Sequence, residues 1–295
     1  MQKKGTRNYG YVVSAMKKLT EINKRKDIYE QLDDLDVTQT VFMDLQSINL
    51  VDFLDWRDKA LGITEKLPPN AKLEIRKAWV WAFSTQIVYA LRINEVFAIK
   101  NLYTDYVTSD GVTIPAVNNS DNTDNLIYIG EKTDLGTTVK TGARLARPQI
   151  PPKYPNLLEI LDIKNPLLPS NKPKSLNSKS LRDFHCRMAR KKLVQWNAPF
   201  TQTHADRHLG NINGMHRIPL EVRAMSLGHT AAMNDSGYKK RIGTQTKIDL
   251  LLNSNSNAID FVTALAEAKK LATEKPKDRE TIIRLLSIIY QKDSK

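Results

Sequence analysis

The chain has 295 residues, 45 of them basic and 32 acidic, giving a formal charge of +13, a pI near 9.6 and 41% hydrophobic content. At about 150 residues per domain this length predicts two domains, and the composition is that of a folded protein that can bury a core without disulfides. The single cysteine, Cys186, excludes an intramolecular disulfide and a Cys-based zinc cluster. The longest apolar run, Ala78 to Phe83, is too short for a membrane span, and no apolar segment follows the basic start MQKKGTRNYG to make a secretory signal. The expectation is a soluble protein of a reducing, cytoplasmic compartment, without a membrane partner.

In chain order, residues 9 to 62 read as helical. Tyr11, Val12, Met16 and Leu19 recur at helical spacing, and Leu50, Phe53, Leu54, Trp56 and Ala60 repeat the pattern. The acidic run Asp33-Asp34-Leu35-Asp36 fits a solvated helix face better than a magnesium site. Leu67-Pro68-Pro69-Asn70 is a breaker, which divides the chain into residues 1–68 and 69–295. A helix over about 72–91 follows, with Ile75, Ala78, Trp79, Ala82, Phe83 and Val88 on its apolar side; its aromatics read as core and not as a base-stacking platform.

After Leu102 the texture changes. Val112 to Val117, Leu126 to Ile129 and Arg144 to Ile150 are alternating or β-branched, with Gly, Asp and Asn between them, which predicts one small antiparallel sheet. Pro166 to Ser180 reads as a loop, and helices are expected again over about 181–196, 203–215, 220–227, 259–271 and 279–290. The fold class expected is mainly α with a small antiparallel β-sheet (α+β).

The surplus of positive charge attracts polyanions, and nucleic acid is the commonest one inside cells; a basic surface serving solubility alone is the alternative. The basic residues are spread, as in Lys17-Lys18, Arg190 to Lys192 and Lys239 to Arg241, which suits a folded basic surface better than a disordered arm. Glycine-rich phosphate loops, the HExxH zinc signature and a carboxylate cluster are all lacking, so neither nucleotide-driven nor metal-dependent chemistry has support in the sequence.

The polar residues that stand out lie mostly in the C-terminal third. His204-Ala205-Asp206-Arg207 places His and Arg on one face of a helix start, where an anion is favoured. Leu227-Gly228-His229 ends a helix with glycine and puts a histidine just beyond it. Tyr238 follows nine residues later. Upstream, Ala90-Leu91-Arg92-Ile93-Asn94-Glu95-Val96 closes the long helix with an arginine.

In this order and spacing the motifs resemble the tyrosine site-specific recombinase (phage integrase) family, over about residues 72 to 245. The resemblance implies that Arg92 and Arg207 clamp the scissile phosphate, that His204 and His229 donate hydrogen bonds or move a proton, and that Tyr238 is the nucleophile. Arginine suits the clamp because it stays charged and can bind oxygens bidentately. Phenol, with an unperturbed pKa near 10, needs a base and cationic neighbours. The family also places a lysine in a β-hairpin to protonate the leaving 5′-oxygen; here that is Lys140 in Val139-Lys140-Thr141-Gly142-Ala143-Arg144, with Lys132 as the rival.

By the same resemblance, residues 1–68 form a core-binding segment, whole or partial, that clamps DNA ahead of the recombinase catalytic fold. The reaction breaks and rejoins DNA through a 3′-phosphotyrosyl intermediate, without ATP, metal or other cofactor. The implied partners are double-stranded DNA carrying specific recombination sites, further copies of the chain in a homotetramer on two such sites, and in some systems an accessory DNA-bending protein; the location is then nucleoid-associated. The helices after Tyr238 fit either a neighbouring protomer or their own domain. A type IB topoisomerase shares the fold and the nucleophile, but His204 stands where those enzymes generally carry lysine. A regulator derived from a recombinase but lacking catalysis, and a telomere resolvase, are the other readings.

Overall fold

A computed structural model describes residues 3–39, 46–170, 173, 177, 181–215 and 217–234. By its internal contacts the chain divides into two compact units, Met1–Leu45 and Gln46–Lys295.

The first unit is a helical hairpin of α1 (Arg7–Ile22) and α2 (Lys26–Asp33). The Thr6 hydroxyl caps α1 by accepting from the Tyr9 N–H at 3.3 Å. Lys24 takes a left-handed conformation, φ 54°, and lets the chain fold back. Val13 and Leu32 are buried, and Lys17 Nζ meets Asp33 Oδ1 at 2.5 Å. The apolar spacing Tyr11, Val12, Met16, Leu19 does mark a helix, but that stripe faces outward: Tyr11 is 58% and Leu19 60% exposed.

The second unit begins before the double proline, not after it. Helix α3 (Leu50–Leu61) turns Phe53 and Trp56 into the main core, where Trp56 lies 5.9 Å from Phe83 and 6.1 Å from Phe200 between ring centroids. Its indole N–H donates to the Trp196 carbonyl at 3.0 Å. The division therefore falls at Leu45 and Gln46, and Pro68-Pro69 only turns the chain between two helices of one core. The next helix, α4 (Leu73–Val88), is buried on every side from Ala78 to Val88. A helix apolar all round belongs at the centre of a fold. Trp79, Trp81 and Phe83 are indeed core side chains.

A short helix, α5 (Ile93–Val96), follows, and then, among the described residues, two separate two-stranded antiparallel sheets in place of the single sheet expected. Strand β1 (Tyr106–Val107) pairs with β2 (Thr113–Ile114), and β3 (Ile127–Ile129) with β4 (Arg144–Ala146). Pro115 stops β2 and Pro148 follows β4 closely, since proline removes a ladder donor. Register pairs Ile127 with Ala146, Tyr128 with Leu145 and Ile129 with Arg144. Ile127, Ile129 and Ala146 are buried.

The later helices of the described chain include α6 (Leu157–Ile160), α7 (Phe184–Gln195), α8 (His204–Gly214) and α9 (Leu220–Leu227). Helix α7 is anchored by His185, which stacks on Phe97 with centroids 3.7 Å apart and meets Asp134 Oδ1 at 2.8 Å through Nε2. Among the described residues no helix is long and apolar enough to cross a membrane. The helices expected over 259–271 and 279–290 lie outside the described residues.

Candidate active site

The site is assembled at the end of α4. Ala90 is left-handed, φ 52°, an uncommon conformation for a residue with a side chain. It stops the helix, and the Leu91 N–H closes the turn on the Gln86 carbonyl at 2.9 Å. Two residues later Arg92 stands as the N-cap of α5. Helix α8 crosses here at Gly210, where a methyl group would collide with the Ile87 carbonyl oxygen; glycine alone permits so close an approach. The Gln86 side-chain amide holds the start of α8 by donating to the Thr203 carbonyl at 2.5 Å. Arg207 is thereby placed under the α4–α5 junction.

Glu95, the third residue of α5, organises what converges. Its Oε2 accepts from the Arg92 backbone N–H at 2.7 Å, from Arg207 Nη1 at 3.0 Å and from Arg144 Nη2 at 3.0 Å. Its Oε1 accepts from Arg92 Nη1 and from the Thr141 hydroxyl, both at 2.8 Å. Five donors thus meet one carboxylate. The C-terminal end of α9 closes the cluster: Leu227 O accepts from Arg207 Nη2 at 2.7 Å and Ser226 O from Arg144 Nε at 2.9 Å. Orphan carbonyls at a helix C-terminus are natural partners for cations. Gly228, with φ 67°, ends α9 in the left-handed conformation, and the His229 N–H bonds back to Ala224 O at 2.9 Å.

That turn delivers His229. Its Nε2 lies 2.9 Å from Arg207 Nη2 and 3.3 Å from Arg92 Nη2. A guanidinium can only donate, so this nitrogen carries a lone pair and the ring proton sits on Nδ1. Burial, then Arg207 and Arg92, hold the imidazole pKa down to about 4. For Glu95, burial acts to raise the pKa but Arg207, Arg144 and Arg92 together overcome it and hold the carboxyl at about 2. Three guanidiniums against one carboxylate and a neutral imidazole leave a surplus of two positive charges. The Nη2 atoms of Arg92 and Arg207 converge on a single acceptor, and an oxyanion is chemically suited to such a position.

Of the six residues singled out in the sequence, Arg92, Arg207 and His229 stand in direct contact. Lys140 is exposed on the turn Val139–Gly142, next to Thr141 and so one residue from the cluster. Lys132 lies earlier in the same hairpin, bridged by its backbone to Thr138. His204 is exposed at the first position of α8, its ring edge-on to that of His208 with centroids 4.8 Å apart. Tyr238 lies outside the described residues. Arg207 is 0% exposed, whereas the Arg92 side chain keeps 24% of its surface.

Glu95, Thr141 and Arg144 lie inside the sequence motifs, which by themselves assign them no role. The one available signal was Arg92-x-x-Glu95, a pair on one helix face. Compared with known proteins, the chain matches no family model, no curated protein and no solved structure.

Proposed function

We propose that this protein is a tyrosine site-specific DNA recombinase, of the integrase type, acting on duplex DNA through a covalent 3′-phosphotyrosyl intermediate. The observation that carries the reading is the cluster of Arg92, Arg144, Arg207 and His229 around the buried Glu95, with its surplus of two positive charges and two guanidinium donors meeting at one acceptor position. A phosphodiester under in-line attack gains a second negative charge on its non-bridging oxygens, and fixed donors aimed at that charge typically contribute about 10²- to 10³-fold each. In the reaction, a phosphate oxygen takes the place of His229 Nε2 as acceptor for the two Nη2 atoms, and the imidazole is released to hydrogen-bond the transition state. Tyr238 supplies the nucleophile, and Lys140 protonates the leaving 5′-oxygen. The position of Thr141 favours Lys140 over Lys132 for that role.

One observation favours a second reading, a DNA-binding regulator without catalysis: Arg207 has no exposed surface, and both its terminal nitrogens are engaged within the protein. Rapid denaturation of cells expressing the protein, followed by isolation of protein–DNA adducts and sequencing of the attached DNA, separates the two. A recombinase yields an adduct on a 3′-phosphate facing a free 5′-hydroxyl, abolished in Tyr238→Phe. Binding of discrete DNA sites without an adduct establishes the regulator, and an adduct that persists in Tyr238→Phe removes the mechanism.

A further inference from the structure

We propose that Arg144 is a positioning residue that fastens the Lys140 turn to the arginine cluster, so that the proton donor stands at the site before DNA arrives. This rests on the recombinase reading and assigns a role to a side chain that the reading leaves unused.

The β3–β4 register sets Arg144 opposite Ile129 on the inner face of the hairpin, with only 7% of its side chain exposed. All three of its nitrogens are used, each on a different element. Nε donates to Ser226 O in α9 at 2.9 Å, Nη2 to Glu95 Oε2 in α5 at 3.0 Å, and Nη1 to the Thr141 hydroxyl in the turn at 2.6 Å. The Thr141 hydroxyl in turn donates to Glu95 Oε1 at 2.8 Å, so the turn is held by both partners of the Arg144–Glu95 ion pair. Lys140 and Thr141 are the central residues of this turn, closed by the Gly142 N–H on Val139 O at 3.1 Å. The end of α9 lies directly against it: a methyl group on Gly228 would stand 2.6 Å from Thr141 Cβ and 3.2 Å from Arg144 Cδ.

The mechanical consequence is specific. A lysine on an exposed hairpin turn must give up backbone and side-chain freedom to meet a leaving group. Fixing the adjacent residue removes the backbone part of that cost in advance, which is what preorganisation contributes to rate. Arg144, sealed and fully engaged, is not placed to touch the phosphate and acts through Thr141. A lysine at 144, with one ammonium on a flexible stem, cannot span three acceptors in the same plane.

The step affected is leaving-group departure. The Tyr238 oxygen forms a bond to phosphorus as its proton passes to a neutral imidazole; the bond from phosphorus to O5′ breaks, its electron pair stays on O5′, and Lys140 protonates that oxygen. A substrate with sulfur in place of the bridging 5′-oxygen leaves as a thiolate and needs no proton. The test compares oxygen- and sulfur-bridged versions of the duplex recovered from the covalent adduct, cleaved by wild type, Lys140→Ala, Arg144→Gln, Thr141→Val and Arg92→Ala. On oxygen, Lys140→Ala and Arg144→Gln lose about 10²-fold or more, with Thr141→Val between them and wild type. On sulfur these three return to within about 10-fold of wild type, and Arg92→Ala does not. Arg144→Gln that stays equally slow on sulfur, or that cleaves oxygen at the wild-type rate, overturns the proposal. If Arg144→Gln does not fold, Thr141→Val carries the same comparison, because it leaves the bonds of Arg144 to Glu95 and Ser226 in place.

Should wild type form no adduct, the recombinase reading fails, and fastening is then read from amide hydrogen exchange in the free protein. Exchange at Gly142, whose N–H closes the turn, that rises about 10-fold in Thr141→Val upholds the fastening, a change of about 1.4 kcal/mol in opening free energy. Unchanged exchange discards it.

Discussion

Arg207 Nη1 lies 3.0 Å from Glu95 Oε2, and neither side chain reaches solvent, at 0% and 1% exposure. The carboxylate is the one negative charge among three guanidiniums, so its removal leaves buried cations without compensation. Glu95→Gln is expected to lose roughly 3–5 kcal/mol of stability, the usual cost of breaking a buried ion pair from one side. Urea unfolding measures it, and a loss under about 1 kcal/mol would mean that the helix-end carbonyls hold the arginines without the carboxylate. The acid limb gives the sign. A carboxyl held near pH 2 in the folded state stabilises the fold above its ordinary value of 4.5, and that stability disappears as pH falls from there through about 2. Glu95→Gln lacks this step.

The His229 imidazole is neutral at physiological pH for the same electrostatic reason, with its folded pKa near 4. Between about 4 and 6.5 the unfolded chain binds a proton there that the folded chain does not, so this residue stabilises the fold above 6.5 and the contribution is lost as pH falls toward 4. An NMR titration of the imidazole Cε1 proton should show a midpoint close to 4 in the free protein and a higher one with inorganic phosphate or vanadate bound. A midpoint at 6.5 in the free protein would contradict the paired geometry of the two Nη2 donors.

Asp206 sits in the first turn of α8 with 0% exposure, and among the described residues neither of its carboxyl oxygens has a hydrogen-bond partner. Burial raises its pKa well above the ordinary carboxylate value. The folded state then binds a proton that the unfolded state has lost, so stability declines as pH rises above about 3.8. Asp206→Asn keeps the shape and cannot ionise. It should melt at the wild-type temperature near pH 4 and higher at pH 8, by about 2–4 °C for each kcal/mol recovered. Equal melting temperatures at both pH values would place a charge-stabilising partner beside Asp206.

The outer face of α7 gathers Arg187, Arg190, Lys191 and Lys192 along one surface groove. If duplex DNA lies along it, counterion release makes the affinity salt-dependent, with a slope of about −0.9 per phosphate neutralised in a plot of log K against log salt. Arg190→Glu with Lys191→Glu should flatten that slope by about 2 on duplexes of any sequence. An unchanged slope would mean that this face of α7 makes no phosphate contact.

Much of this molecule was legible before any coordinates. Periodicity marked α1, α3, α4, α7, α8 and α9, and the order of Arg92, His204-x-x-Arg207 and Leu227-Gly228-His229 singled out three side chains that do meet. Glycine at 228 signalled the helix end that presents His229, because a left-handed terminus is a local property of the backbone. The two roles left unassigned, those of Glu95 and Arg144, have no local signature of that kind. Arg144-Leu145-Ala146 alternates, but alternation alone does not say which side faces in. Strand register against Ile127 and Ile129 turns Leu145 outward and Arg144 inward.

The domain division shows the same limit from another side. Pro68-Pro69 is a strong local breaker, yet Trp56 packs beyond it onto Phe83 and Phe200, and the apolar stripe whose spacing marks α1 is exposed. Helix positions, turn residues, charge and the chain order of the polar motifs follow from interactions within a few residues, and the sequence by itself determined them. Only the tertiary structure decided that residues 92, 95, 144, 207 and 229 share one cluster, because their meeting depends on the close crossing of α4 and α8 at Gly210 and on hairpin register, which set distances between segments as far as 137 positions apart.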